Sequence, residues 1–340
     1  MKVMNVALLS KWHVHAVDYA REAMGNEAIT IKTVWDENQE RGTQWAEELG
    51  VSYEADLQNV LDDSNIDGVI VTTATNRHKE VIIAAANHGK HIFTEKVLAF
   101  TVKECEEILE AVDRNNVQLM VNLPRLTESF YLYAQQALDK GLLGDITYIR
   151  CRVAHNGSVP SEENPKGWLP PHFYNKEECG GGALIDLGAH PIYLTNRLGG
   201  KVKAVSGKLN ELYKLGVDDN AVVMVEYESG AMGMIETGFL SYGSPQQLEL
   251  YGTEGTIMVE GQVVRIKSKH LNTEDWVNPE LPNPISSNME QWVDAIEKGK
   301  KSTISRDDIV NLTAINEAAA ISSKEGRRVQ LSELEVKQNI

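Results

Sequence analysis

The chain has 340 residues, with 33 Lys and Arg against 49 Asp and Glu and a formal net charge of −16 at pH 7. That length exceeds what one hydrophobic core usually spans, so two domains are expected, and the charge argues against a nucleic-acid partner, whose phosphates would be repelled. Cys105, Cys151 and Cys179 are widely spaced and form no CxxC pair, which fits free thiols in a reducing cytosol better than a disulfide framework or a zinc ribbon. There is no signal-peptide pattern and no apolar run near the ~18 residues a membrane span needs. A cytoplasmic protein with no membrane partner is therefore expected.

In chain order, Val3 to Leu9 is a buried-strand candidate followed by a helix over Ala16 to Met24. Ile29 to Trp35 and Asn38 to Leu49 repeat the pattern, as do Asp67 to Thr72 and His78 to His88. His91 to Thr94, Val102 to Asn115 and Val117 to Asn122 continue it. Alternating strands and helices with short connections predict a doubly wound α/β domain with a parallel sheet. The character changes after about Leu123. A helix over Glu128 to Lys140 precedes strands at Ile146 to Ala154, Val202 to Leu209, Ala221 to Tyr227, Leu248 to Tyr251, Thr256 to Glu260 and Val263 to Lys267. Helices over Asn288 to Lys298 and Asp307 to Lys324 close the chain. The expected domains are thus 1–122 and 123–340, the second with a mostly antiparallel sheet.

In a doubly wound sheet, ligands bind at the carboxyl ends of the strands. The turn after the first strand is Ser10-Lys11-Trp12-His13-Val14-His15, with Ser, Trp and His where a dinucleotide fingerprint has glycine. Trp12 would crowd a pyrophosphate unless its ring turns away, while Lys11, His13 and the backbone amides could still serve an anion at the helix N-terminus. Loss of dinucleotide binding is the alternative. Asp36, at the end of the second strand, is placed to bond a ribose 2′-OH and to repel a 2′-phosphate, which favours NAD over NADP. Arg41 leaves some tolerance for NADP. Thr73, Ala74 and His78 follow another strand and are candidates to line the cofactor path, or serve only as turn and cap residues.

Glu95-Lys96 follows the fifth strand candidate, and a partly desolvated lysine there can exchange a proton with a substrate hydroxyl. Far downstream, Gly180-Gly181-Gly182 opens a segment carrying Asp186 and His190. On a helix these two share one face, and a carboxylate that orients an imidazole suits proton transfer. Pro191 disfavours α geometry at His190, so a kinked alignment is expected. The same spacing also suits a metal site or a surface ion pair. No metal site is expected, because Asp186 and His190 supply only two ligands and His13-x-His15 lies in the other domain.

These segments together resemble the Gfo/Idh/MocA family (glucose–fructose oxidoreductase and inositol dehydrogenase). Glu95-Lys96-Val97 resembles its E-K-P, and Gly180 to His190 its G-G-G-x-x-x-D-x-G-x-H motif. Thr73 to His78 is similar to T-P-x-x-x-H, and Gly252 to Thr256 to its late Y-G-T-x-G turn. The resemblance spans nearly the whole chain. It implies an N-terminal Rossmann domain and a C-terminal α/β domain with a large open sheet that forms homodimer or homotetramer contacts. It also implies a catalytic group of Lys96, Asp186 and His190 that moves a hydride between a sugar, inositol or polyol and nicotinamide. In that reading His190 is the base, Lys96 holds the substrate oxygen or shares the base role, and Asp186 orients the imidazole or pairs with Lys96.

Substrate-contact candidates are Arg125, His155 with Asn156, Trp168, His172, Tyr174 and Tyr193, the last standing where many members carry an acid. The aromatic loop from Trp168 to Tyr174 reads equally as one packed against its own domain. Two other functions fit the same residues. One is a non-catalytic sugar or nucleotide sensor, suggested by the altered first loop. The other is a glycosidase or lyase that oxidises its sugar transiently with held NAD.

Overall fold

The structure is a computed structural model that describes residues 3–334; residues 1–2 and 335–340, at the outer ends of the expected domains, lie outside the described residues. The chain forms two compact units. The first runs to Asn122 and takes in Ser286–Ser305; the second takes Leu123–Ile285 and the chain from Arg306 on. This corrects the expectation of one continuous domain beyond residue 123. The returning helix brings Trp292, fully buried, to 5.8 Å from the Phe93 ring, and burying so large an aromatic surface holds the segment to the first unit.

In the first unit, strands β1 (Met4–Leu9), β2 (Ile29–Trp35), β3 (Ser52–Glu54), β4 (Gly68–Val71), β5 (His91–Thr94) and β6 (Leu119–Val121) form one sheet in the order β3-β2-β1-β4-β5-β6. Every neighbouring pair is parallel. Helices α1 (Ala16–Met24), α2 (Gln39–Leu49), α3 (Leu57–Asp62), α4 (His78–Asn87) and α5 (Val102–Arg114) alternate with these strands. Helix α1 buries Ala16, Tyr19, Ala20 and Ala23, the spacing of one helical face. Asn38 caps α2 by accepting from the Arg41 amide at 3.0 Å, and Thr101 caps α5. Val6, Ala7, Leu9, Val69, Val71, Ile92 and Phe93 have no exposed surface, as a sheet covered on both faces requires. The strand order changes direction between β1 and β4, which makes the carboxyl ends of those strands the switch point where such sheets bind ligands.

The second unit begins with α6 (Ser129–Asp139). Its sheet contains β7 (Ile146–Ala154), β8 (Val202–Asn210), β9 (Asn220–Tyr227), β10 (Met232–Gly238), β11 (Gln247–Gly252), β12 (Gly255–Glu260), β13 (Val263–Ser268) and β14 (Val329–Gln330). The order is β13-β12-β11-β7-β10-β9-β8-β14, and only the β7–β10 pair is parallel. Strand β10 was not among the sequence expectations. On β9, Val223, Val225 and Tyr227 are buried while Val222 and Met224 are exposed, so one face packs and the other stays open. Helices α7 (Lys176–Cys179), α8 (Ala189–Gly199) and α10 (Arg306–Glu325) belong to this unit, and α9 (Asn288–Lys298) to the first. Arg197 ties α8 to α10 with two bonds to Asp308, at 2.9 and 2.6 Å. The three cysteines are buried free thiols. Among the described residues, no helix is long and apolar enough to cross a membrane.

The glycine-rich segment is held from below by Asp218. Its carboxylate accepts from the Gly182 and Leu184 amides, both at 2.8 Å, and its carbonyl accepts from the Ala183 amide at 2.7 Å. A Cβ on Gly182 would lie 2.0 Å from that carbonyl oxygen, so no side chain fits there. Residues 183–188 consequently form turns, and α8 starts only at Ala189. This corrects the expectation that Asp186 and His190 share one face of a helix, kinked at Pro191. Gly188 bonds back to the Ala183 carbonyl at 2.8 Å, and its own missing Cβ would meet the Leu184 oxygen at 2.4 Å. Pro191 falls in the first turn of α8, where no amide donor is needed, so it introduces no kink.

Asp218→Ala removes two hydrogen bonds to a buried carboxylate, so it should destabilise the protein by about 3 kcal/mol. Denaturant unfolding of the variant checks this, and a loss below about 0.5 kcal/mol, the scale of an ordinary surface change, would contradict the clamp.

Candidate functional site

The first unit presents the loop after β1, the end of β2 and the loops after β4 and β5. Ser10 takes φ 78°, the left-handed region where the fingerprint would place glycine; for serine this costs about 1 kcal/mol. Its hydroxyl accepts from the Trp12 amide at 3.1 Å and from Arg41 Nη2 at 3.3 Å. The loop is tied to the end of β4, because the His13 amide donates to the Thr72 carbonyl at 3.1 Å and the Thr72 hydroxyl to the Ser10 carbonyl at 2.6 Å. Trp12 is buried.

Asp36 is 2% exposed and accepts from four donors: the Lys11 amide (2.7 Å), the Asn38 amide (2.8 Å), Arg41 Nε (2.9 Å) and Arg41 Nη2 (2.7 Å). Arg41 also reaches Glu37 at 2.9 Å. Burial alone would lower the Arg41 pKa, but the Asp36 and Glu37 carboxylates outweigh it and raise it, so the guanidinium stays charged. Lys11 directs its ammonium to Glu48 at 2.7 Å.

The amides of residues 10–13 are thus all spent inside the unit, on Trp35, Asp36, Ser10 and Thr72. This corrects the expectation that these amides and Lys11 greet an anion. The crevice at the switch point and the Asp36–Arg41 pair fit the ribose end of a dinucleotide. The pyrophosphate has to find partners other than those four amides.

Thr73 and Ala74 are buried after β4. His78 is 1% exposed, and its Nδ1 pairs with the Val97 carbonyl at 3.0 Å. Burial lowers its pKa against the opposing effect of that carbonyl, leaving a neutral ring. His78, expected to line the cofactor path, thus props the loop after β5 from within. Lys96 is buried, and the Lys96–Val97 peptide is cis.

Glu95 gathers the centre of this region. Its Oε2 lies 3.2 Å from His15 Nδ1 and 3.9 Å from His13 Nδ1, and it accepts from the Tyr19 hydroxyl. Burial pushes the Glu95 pKa up, but the charges of His13, His15 and Lys96 and the His15 hydrogen bond hold it well below the carboxylate range. The Tyr19 oxygen in turn accepts from Asn122 Nδ2 at 2.8 Å, and Asn122 accepts from Asn288 at 2.8 Å. Tyr19 was missed in the sequence, although it stands four residues after His15 and so on the same face of α1.

In the second unit, His190 Nδ1 lies 2.8 Å from the Tyr193 hydroxyl, three residues on along α8. That hydroxyl accepts from the Arg125 amide at 3.3 Å. Tyr193 has no exposed surface, and burial drives its pKa up against the lowering effect of Arg125, so it stays a neutral phenol. Tyr193, expected as a substrate contact, is buried here with its hydroxyl against His190. Arg125 is partly exposed, in the short helical turn Pro124–Thr127.

His155 stacks on Phe239 (5.1 Å, 9° between planes) and has Trp168 at 4.7 Å. Its Nδ1 accepts from the Gly157 amide at 2.9 Å. Burial lowers its pKa, and the Asp186 carboxylate opposes that fall, which places Asp186 within the electrostatic reach of His155. Trp168 is 53% exposed and reaches Asn156 at 3.5 Å. Leu169, Phe173, Ala183 and Phe239 form an apolar cluster joined by Tyr174 and Leu187. The Tyr174 hydroxyl pairs with Ser158 at 2.7 Å, and the His172 carbonyl accepts from the Cys179 thiol. In the aromatic loop Leu169 and Phe173 are thus buried in their own unit, His172 and Tyr174 are half-buried, and Trp168 is exposed.

Two family models match. Residues 10–123 match one described as an oxidoreductase family with an NAD-binding Rossmann fold, and residues 131–258 match the GFO/IDH/MocA C-terminal domain. The scyllo-inositol 2-dehydrogenase (NAD(+)) of Bacillus subtilis is 29% identical over 306 residues, covering 86% of this chain and 85% of that protein. The myo-inositol 2-dehydrogenase of Thermotoga maritima is 25% identical, covering 97% and 99%. Among solved structures, a levoglucosan dehydrogenase in complex with NADH and levoglucosan superimposes with a TM-score of 0.82 at 23% identity, covering 96% of this chain and 99% of that one. An Agrobacterium radiobacter oxidoreductase in complex with NAD+, L-tartaric acid and magnesium gives 0.83 at 18% identity, covering 98% and 100%. With both halves matched and relatives aligned along nearly its full length, the chain belongs to the Gfo/Idh/MocA family of oxidoreductases.

Proposed function

We propose that this protein is an NAD-dependent dehydrogenase acting on a hydroxyl of a sugar, inositol or related polyol, with His190 as the base. The observation that carries this is the His190–Tyr193 pair, set on a turn that Asp218 clamps. The aligned relatives, named for inositols and for levoglucosan, support the substrate class. When bound, NAD supplies the acceptor for the hydride that the carbinol carbon gives up.

The residues of the chain handle the proton and the charge. With Nδ1–H donated to the Tyr193 oxygen, His190 keeps Nε2 unprotonated and able to take the hydroxyl proton. The Arg125 amide fixes the same oxygen, so the imidazole is held at one tilt. Lys96 carries the positive charge that stabilises the developing alkoxide. Asp186 supplies the negative charge that stabilises the imidazolium formed when His190 takes the proton. Trp168 and His155 offer apolar and hydrogen-bonding surface to the sugar.

For the cofactor, the reading keeps NAD over NADP. Support comes from Asp36 and Glu37, two carboxylates at the end of β2 that would repel a 2′-phosphate, with one guanidinium, Arg41, between them. The open face of the second sheet, with Val222, Met224 and Met232 exposed, supports self-association as a homodimer or homotetramer.

Lys96→Ala and His190→Ala should each lower kcat/KM by ~10²–10⁴-fold with an unchanged circular dichroism spectrum; near-normal turnover in both would sink the assignment. Tyr193→Phe should lower kcat by about 10-fold, or ~1.4 kcal/mol, with little change in KM, and should shift the acidic limb of the kcat profile; a KM effect alone would place Tyr193 at the substrate instead. Arg41→Ala leaves Asp36 and Glu37 bare, so NADPH affinity should fall more than NADH affinity. Fluorescence titration with each dinucleotide reads the ratio, and an unchanged ratio would remove Asp36 and Arg41 from the discrimination.

A further inference from the structure

We propose that His13, His15 and Glu95 form a binding site for one divalent transition-metal ion of the zinc class. Their ligand atoms all lie within 4.8 Å of one another. A four-coordinate ion with bonds of ~2.0–2.1 Å sets its ligands roughly 3.3–3.5 Å apart. The His15 to Glu95 distance of 3.2 Å is within about 0.1 Å of that range, and the His13 to Glu95 distance of 3.9 Å has to shorten on binding. The two imidazole rings sit 4.7 Å apart, tilted by 54°, so they converge without stacking.

The charge balance argues the same way. Glu95 is 2% exposed and His13 6%, and a carboxylate so buried requires a compensating positive charge. His13, His15 and Lys96 bring positive charge to it, and a divalent ion bound by the two imidazoles and the carboxylate would take the place of the histidine protons at the carboxylate itself.

The surroundings have the form of an outer shell. The Tyr19 hydroxyl donates to the Glu95 oxygen, and Asn122 donates to Tyr19, as ligating carboxylates are commonly held. The loop carrying both histidines is fixed to the end of β4 through Thr72, so two of the three ligands are positioned before any ion arrives. The His15 amide donates to His13 Nδ1 at 3.2 Å; a metal bond at that nitrogen takes the place of this long contact.

Two nitrogens and one carboxylate oxygen suit Zn²⁺, Co²⁺, Ni²⁺ or Cu²⁺, whereas Mg²⁺ and Ca²⁺ prefer all-oxygen sets. Three protein ligands leave a fourth position open. The site stands on the first unit alone, on the loops after β1 and β5.

The test uses tag-free, full-length protein stripped with a chelator and titrated with Co²⁺ alone. The expected result is one retained equivalent, an intense visible absorption of tetrahedral type, and loss of that band when Zn²⁺ is added. His15→Asn and His13→Asn should each weaken Co²⁺ binding by at least about 10-fold, the lower end of what loss of an outer-shell partner costs, and His190→Asn should leave it unchanged. His15 keeps 40% of its side chain exposed, so its variant serves if the His13 variant fails to fold, with circular dichroism confirming the fold. No retained cobalt, a band that survives in a folded His15 variant, or a band that moves with His190 would each overturn the proposal.

Discussion

Asp218 gives up solvent to hold three consecutive backbone amides: its carboxylate takes Gly182 and Leu184, and its carbonyl takes Ala183. Burial pushes its pKa up while the two amides bonded to its carboxylate pull it down, so the residue is a strained anchor, stable only while those bonds exist. The consequences run outward. The clamp leaves no room for a Cβ at Gly182 and forces a turn through residue 188. The turn then delays the start of α8 until Ala189, so His190 lies in its first turn. There its Nδ1 meets the Tyr193 hydroxyl. The imidazole's orientation therefore depends on an aspartate that touches no part of the ring.

The first unit solves a related problem with opposite means. A fingerprint loop rich in glycine leaves its amides open for phosphate. Here the loop from Ser10 to His13 spends those amides internally and binds itself to β2 and β4. Rigidity is gained at the position where the usual loop is permissive. Asp36 and Glu95 then act as two charge centres, each surrounded by cations or donors: Arg41 and two amides at the first, His13, His15 and Tyr19 at the second. In a chain of net charge −16, both carboxylates are thus locally balanced.

Much of this was legible in the sequence. The alternating strands and helices of the first unit follow from continuous Val and Ile runs and from helix caps such as Asn38. The Gly180 to His190 segment stood out as a site. Other features were hidden for physical reasons. Strand β10, Met-Gly-Met-Ile-Glu-Thr-Gly, carries two glycines and a glutamate and lacks the β-branched density of its neighbours; only its pairing with β7 and β9 makes it a strand. The return of Ser286–Ser305 to the first unit leaves no local mark, because it depends on where Trp292 finds a partner. Spacing suggested a helix joining Asp186 to His190, but the long-range contact with Asp218 overrode it. The burial of Tyr193 and His78, and their bonds to His190 and to the Val97 carbonyl, depend on long-range packing that no local pattern announces.

The proposed reaction is the oxidation of a carbinol with NAD, with His190 taking the proton. The most direct measurement incubates the protein with NAD and a panel of sugars and polyols deuterated at the carbinol carbons, and weighs the dinucleotide recovered. The account predicts NADH one mass unit heavier than normal with at least one member of the panel, and no such transfer in His190→Ala. Tight dinucleotide binding with no deuterium transferred from any of them would contradict it.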